Sequence, residues 1–225
     1  MINRVLTFDL KKPEIVDGEV KPGATSQQVQ ALQGSFNHLY GIDGMLSAGL
    51  RYGVLPASFR DVKDAGVIQG ARTHALYFGF RDQETVPRFG KDERHQDWAK
   101  KFYRDIRVNN TFFQYESLVA SPHFGVERLL TFDLADGTSP NQVQELRAFF
   151  QNLKDNKDVR PATLEKLAGT VPEALQPTAR QYGLVLRFEN TGAASRFDID
   201  PRQAALLNMI YSPVYKRQTF FQNAA

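Results

Sequence analysis

The chain has 225 residues, with 28 Lys and Arg against 25 Asp and Glu, and no cysteine. Without thiols there is no disulfide framework, no cysteine nucleophile and no thiolate zinc site. A 42% hydrophobic and 24% charged composition supports a packed core, and the net charge of +3 contains no basic run longer than Lys100-Lys101, so nucleic acid is not an expected partner.

Residues 2–10 are apolar at alternate positions and rich in strand formers, which predicts a strand. Asp9, Lys11 and Lys12 end its apolar run too soon for a signal peptide, no window approaches a membrane span, and the lack of cysteine makes a reducing cytoplasm the expected location. Residues 11–24 read as a loop, with capping residues at 23–26 ahead of a helix over 27–39, where Val29, Leu32, Phe36 and Leu39 recur at helical spacing. Strands are predicted at 45–52 and 73–80, a helix over 94–106 with Trp98, Phe102 and Ile106 on one stripe, and a strand at 111–115. Residues 117–125 include Ser121-Pro122-His123-Phe124-Gly125, a linker composition.

Beyond that linker the pattern restarts. Leu6-Thr7-Phe8-Asp9-Leu10 returns as Leu130-Thr131-Phe132-Asp133-Leu134, with Arg4 matched by Arg128. Gln28-Val29-Gln30, Leu32, Phe36 and Leu39 return as Gln142-Val143-Gln144, Leu146, Phe150 and Leu153. Arg72, Leu76 and Phe80 match Arg180, Leu184 and Phe188; Arg88-Phe89 matches Arg196-Phe197; Thr111-Phe112-Phe113-Gln114 returns as Thr219-Phe220-Phe221-Gln222. The offset steps from 124 to 114 to 108, as if the second copy had lost ten residues from the 11–24 loop and six between the first helix and the second strand. Five collinear blocks are the mark of a tandem duplication. The expected division is a first repeat over 1–116, a linker over 117–125 and a second repeat over 126–225.

In the second copy Thr138 or Ser139 caps a helix that holds Pro140 near its start, strands fall at 162–167 and 182–188, a helix at 201–211 and a strand at 219–222. Each half is thus β-α-β-β-α-β, the ferredoxin-like α+β pattern. Such a sheet covers one face with helices and leaves the other bare, so two copies are expected to pack sheet to sheet as an intramolecular α+β barrel, either a monomeric pseudo-dimer or a homodimer.

The first strand Val5-Leu6-Thr7-Phe8, the run Thr73-His74-Ala75-Leu76 ending in Phe80-Arg81-Asp82, and Arg94-His95-Gln96-Asp97-Trp98 resemble the stress-responsive dimeric α/β barrel family, in a two-repeat form and most strongly in the first half. Gly70-Ala71-Arg72-Thr73-His74 is similar to the family's approach to its third strand, and Asp92-Glu93-Arg94-His95 keeps the last histidine of its final-helix motif. The resemblance implies a stress-response protein. One plant relative is a polyketide cyclase that performs an aldol condensation, with a histidine at the position of His95, a first-strand histidine where this chain has Ile2, and a tyrosine where it has Phe89.

His95 is therefore the expected catalytic residue, a proton shuttle whose pKa Asp92 and Glu93 would raise or which Asp97 would orient; the competing reading is an exposed histidine in a polar helix end. His74 shares a strand face with Leu76, Phe78 and Phe80 and is a candidate ligand-binding residue, with a structural histidine as the commoner outcome for such a position. Arg4 and Arg128 occupy equivalent first-strand positions, suited to a carboxylate or phosphate in one cavity or to ordinary ion pairs. Phe89 and Trp98 complete the expected lining. No metal-ligand spacing, Gly-rich phosphate loop or nucleophile elbow occurs, so no metal and no cofactor are expected. The functional expectation is a small apolar or acidic ligand, with cofactor-independent cyclase- or lyase-type acid/base chemistry if the protein is an enzyme; the alternative is a non-enzymatic scaffold acting through self-association. No membrane partner is expected.

Overall fold

A computed structural model describes residues 1–117, 125–153, 155–159 and 162–223. The predicted linker therefore lies, apart from Ser117 and Gly125, outside the described residues. The first repeat runs β1 (Ile2–Leu10), β2 (Glu14–Val16), β3 (Glu19–Lys21), α1 (Ser26–Gly34), β4 (Met45–Tyr52), α2 (Arg60–Asp64), β5 (Gly70–Ala71), β6 (His74–Phe80), α3 (Thr85–Lys91), α4 (Glu93–Trp98) and β7 (Arg107–Glu116). The second runs β8 (Val126–Leu134), α5 (Pro140–Leu153), β9 (Ala162–Lys166), β10 (Tyr182–Phe188), α6 (Thr191–Asp198), α7 (Pro201–Ile210) and β11 (Tyr215–Gln222).

Two compact units result. Unit 1 gathers Met1–Arg51, Thr73–Pro122 and Ala168–Ala179; unit 2 gathers Tyr52–Arg72, His123–Leu167 and Arg180–Ala225. Each unit thus contains the stretch that joins the second and third main strands of the other repeat. The sheet of unit 1 has the order β4-β6-β1-β7, and that of unit 2 has β5-β11-β8-β10-β9. In both, the first strand of the repeat lies antiparallel between the third and the fourth, the ferredoxin-like arrangement. The fold is α+β. Phe8, Phe36, Phe80 and Phe113 are buried, as are their repeat partners Phe132, Phe150, Phe188 and Phe221.

The exact repeat ends in an aspartate for a structural reason. A bulge interrupts the pairing of β1 with β7 and of β8 with β11, and it places Asn109 and Arg217, 108 residues apart, in the left-handed region at φ 53° and 50°. Asp9 accepts hydrogen bonds from the Thr73 N–H and from Asn109 Nδ2; Asp133 accepts from the Gln181 N–H and pairs with Arg217. Each carboxylate ties the bulge to the start of the third strand.

Several local expectations change. The 11–24 loop contains the β2–β3 hairpin, with Ile15 opposite Val20 and both exposed. The first helix ends at Gly34 and continues as a 3₁₀ turn, Ser35–Leu39, because glycine weakens the α ladder there. Thr25 and Gln28 form its capping box, and Ser139 with Gln142 repeats that box at α5. The six-residue deletion lies between the second and third main strands: 53–73 separate β4 from β6, whereas only 167–181 separate β9 from β10. It therefore shortened only the stretch that unit 1 takes from the second repeat. The short helices α3 and α6, which follow the third strands, were not foreseen. The 94–106 helix is α4 followed by a π turn, Ala99–Tyr103. A π turn brings residues five apart onto one side, so Trp98 stacks with Tyr103 at 6.2 Å between centroids. Tyr103, not Phe102, is buried on the stripe.

Candidate functional site

The site in unit 1 is assembled on β1, α3, α4 and the π turn. Arg4 stands on β1 opposite Phe78 of β6 and Gln114 of β7. Its Nε and Nη2 donate to Gln114 Oε1 at 3.0 and 2.9 Å, and Gln114 in turn donates to the Ala168 carbonyl. The guanidinium lies over Phe80 and Phe112 at 5.4 and 5.2 Å. Among the described residues no carboxylate lies within ion-pair distance of it. Burial without a counter-ion lowers its pKa to about 10, still far above neutrality, so the site holds a buried, uncompensated positive charge.

His95 sits in the first turns of α4, whose N-cap is Asp92 accepting from the Arg94 N–H. It is half-buried and packs against Phe89 at 4.1 Å and Trp98 at 6.3 Å between ring centroids. Its pKa is lowered to about 4, first by burial and then by the positive charge of Arg4; the Gly90 carbonyl, and last Asp92, oppose this and are outweighed. The expectation that Asp92 and Glu93 raise it is thus corrected, as is the exposed-histidine reading. The imidazole is neutral at pH 7, and its Nδ1 is buried without a hydrogen-bond partner.

A cavity of about 340 Å³ adjoins these groups. Leu6, Leu76, Phe78, Phe89 and Trp98 form apolar walls, Gly90 leaves a gap, and Pro172, Ala174 and Leu175 close one side. Two lining residues were missed. The Tyr103 hydroxyl is buried and unpartnered, and burial raises its pKa well above the ordinary phenol value, so it stays protonated. Arg107 lies over the Tyr103 ring at 4.7 Å with its Nε likewise buried and unpartnered. Helical periodicity hid Tyr103 because the π turn shifts the face by one residue. Nothing in the sequence near 172–175 pointed to unit 1.

Of the expected site residues, Arg4, His95, Phe89 and Trp98 line this cavity together. His74 does not: it is buried on β6 against Phe8, with Nδ1 2.8 Å from Thr73 Oγ1, and burial lowers its pKa. A larger hollow of about 730 Å³, lined by His38, Arg94, Asp97, Lys100, Lys101 and Asp105 among others, is walled by exposed charged side chains. Among the described residues no cluster of three His, Asp or Glu suits a metal ion, and no helix is long and apolar enough to cross a membrane.

Arg128, the repeat partner of Arg4, is in unit 2 and is saturated. Nε donates to Gln222 Oε1 at 2.8 Å, Nη1 to Gln203 Oε1 at 3.1 Å, and Nη2 forms an ion pair with Asp198 Oδ1 at 2.7 Å. Phe59, Phe188 and Phe197 pack on the guanidinium at 5.3–5.8 Å, and Ser58 donates to the same Asp198 oxygen. At the constant offset of 108, Gln222 answers to Gln114, Gln203 to His95 and Asp198 to Gly90.

The chain matches no protein-family model and no curated protein sequence. Solved structures similar to it include an anthrone oxidase-like protein (TM-score 0.59, 10% identity, 99% of this chain and 90% of that one), a candidate monooxygenase of Fusobacterium nucleatum (0.57, 9%, 99% and 91%) and a chlorite dismutase of Candidatus Nitrospira defluvii (0.51, 7%, 100% and 91%). At these identities the likeness shows the ferredoxin-like α+β fold alone.

Proposed function

We propose that unit 1 binds a small, largely apolar molecule bearing an acidic or carbonyl oxygen and moves a proton on it without a cofactor. The observation that carries this reading is one apolar cavity lined by an uncompensated Arg4, a neutral His95 and a protonated Tyr103. A carbonyl oxygen in the cavity would accept a hydrogen bond from the Tyr103 hydroxyl. His95 would take the proton from the neighbouring carbon, leaving the electron pair on that oxygen as an enolate, which the charges of Arg4 and Arg107 favour. In an aldol closure the enolate carbon would bond to a second carbonyl carbon, and the resulting alkoxide would recover the proton from His95.

One comparison supports a reaction of this kind. Where the one plant cyclase of the resembled family carries a tyrosine, this chain has Phe89, and Tyr103 offers the cavity another phenol. A stress-linked role rests on the family resemblance. The test is hydrogen–deuterium exchange at the methyl group of acetophenone in D2O, followed by NMR. Wild type should accelerate exchange over buffer and His95→Gln should not. Equal rates for wild type and buffer would contradict the proton-transfer step.

A further inference from the structure

Among the differences between the two repeats, one bears on the charge of a ligand. In α6, Arg196-Phe197 is followed by Asp198, whose carboxylate occupies Arg128; in α3, Arg88-Phe89 is followed by Gly90. Part of the cradle is retained, an arginine on the first strand, a glutamine on the fourth and aromatic rings over the guanidinium, while His95 stands where Gln203 accepts from Arg128. Unit 1 therefore keeps the carboxylate receptor and lacks the carboxylate. Gly90 is not required by the backbone, because its φ is not in the left-handed region and a Cβ built there meets nothing within 4 Å. A glycine inside a helix costs stability relative to alanine, and here it opens the cavity wall.

We propose that the natural ligand of unit 1 is a monocarboxylate, whose carboxylate sits on Arg4 beside Gly90 as the Asp198 carboxylate sits on Arg128, with an aromatic or alicyclic body among Phe78, Phe89 and Trp98. The inference rests on the ligand pocket proposed above and adds its charge, its anchor and its stoichiometry. In unit 2 the anchor is already taken by Asp198, and Phe59 and Ser58 cover it, so one ligand binds per chain. A single carboxylate fits better than a phosphate dianion. In unit 2 one acidic side chain, assisted by two glutamine oxygens, completes the shell.

Calorimetry on the full chain tests this, with 3-phenylpropanoate and its primary amide as probes and Trp98, the single tryptophan, as an optical check. The acid should bind once per chain and at least tenfold tighter than the amide. Gly90→Asp, which supplies the carboxylate from within, should lose at least tenfold in acid affinity and melt no lower than wild type. Gly90→Ala should stay within about threefold of wild type. Should Gly90→Asp fail to fold, Arg4→Gln replaces it, with loss of the acid-over-amide preference expected. Equal affinity for acid and amide would overturn the carboxylate inference and leave the pocket standing. Unchanged acid binding in Gly90→Asp would do the same. Absence of binding by both probes would overturn the pocket as well.

Discussion

The Arg4 and Arg128 sites stand at matching positions of the two repeats and differ in what neutralises the cation. Around Arg128 a carboxylate, two glutamine oxygens and three aromatic rings leave the charge fully buried and satisfied. Around Arg4 one glutamine oxygen and two rings remain, beside an apolar cavity and a histidine held neutral. A satisfied buried ion pair is a structural element, whereas an unsatisfied buried cation costs stability. The comparison teaches what the proposed reading requires: the Arg128 position serves as framework, and the Arg4 position is the one left for a ligand.

The largest expected effect comes from breaking the satisfied side. Asp198→Ala strands a buried guanidinium and should destabilise the chain by about 3 kcal/mol, measured by urea denaturation. Arg4→Met removes an uncompensated charge and should cost less than about 1 kcal/mol or stabilise. Equal losses in the two variants would erase the asymmetry. Next is pH. His95 binds its proton less readily folded, near pH 4, than unfolded, near pH 6.5, so the unfolded state gains protons first as pH falls. Its contribution is complete above about pH 6.5 and is lost on the way down to about pH 4, up to about 3 kcal/mol by the size of that shift. His95→Gln, which installs the unit 2 residue, should flatten the stability profile across that window, read as the difference between the two denaturation series. A parallel pair of profiles would mean that His95 is not held neutral. The smallest effect on folding belongs to Tyr103→Phe. Its hydroxyl has no protein partner, so stability should change by less than about 0.5 kcal/mol while acetophenone exchange slows at least tenfold. Undiminished exchange would remove Tyr103 from the proposed chemistry.

Much of this asymmetry was visible as letters. The strand motif with its arginine, the Gln114/Gln222 match and the His95/Gln203 divergence all stand in the aligned repeats, because core strands tolerate little change in spacing. The Gly90/Asp198 difference was equally visible, immediately after the Arg-Phe block, but its meaning needed the third dimension: only there does Asp198 reach Arg128. Three features stayed hidden. The π turn moved Tyr103 onto the buried face against an α-helical reading. The exchange of connecting stretches gave Phe59 to unit 2 and Ala174 to unit 1, a long-range event that local propensity does not encode. The pKa of His95 was expected to rise with its acidic sequence neighbours and instead falls, since burial and a distant arginine outweigh Asp92.

The most direct test of the central claim is a crystal structure of the chain grown with 3-phenylpropanoate. The account predicts one molecule in unit 1, its carboxylate on Arg4 beside Gly90, its ring against Phe89 and Trp98, and the Arg128–Asp198 pair intact. A ligand seated on Arg128, or a carboxylate bound in the cavity away from Arg4, would contradict it.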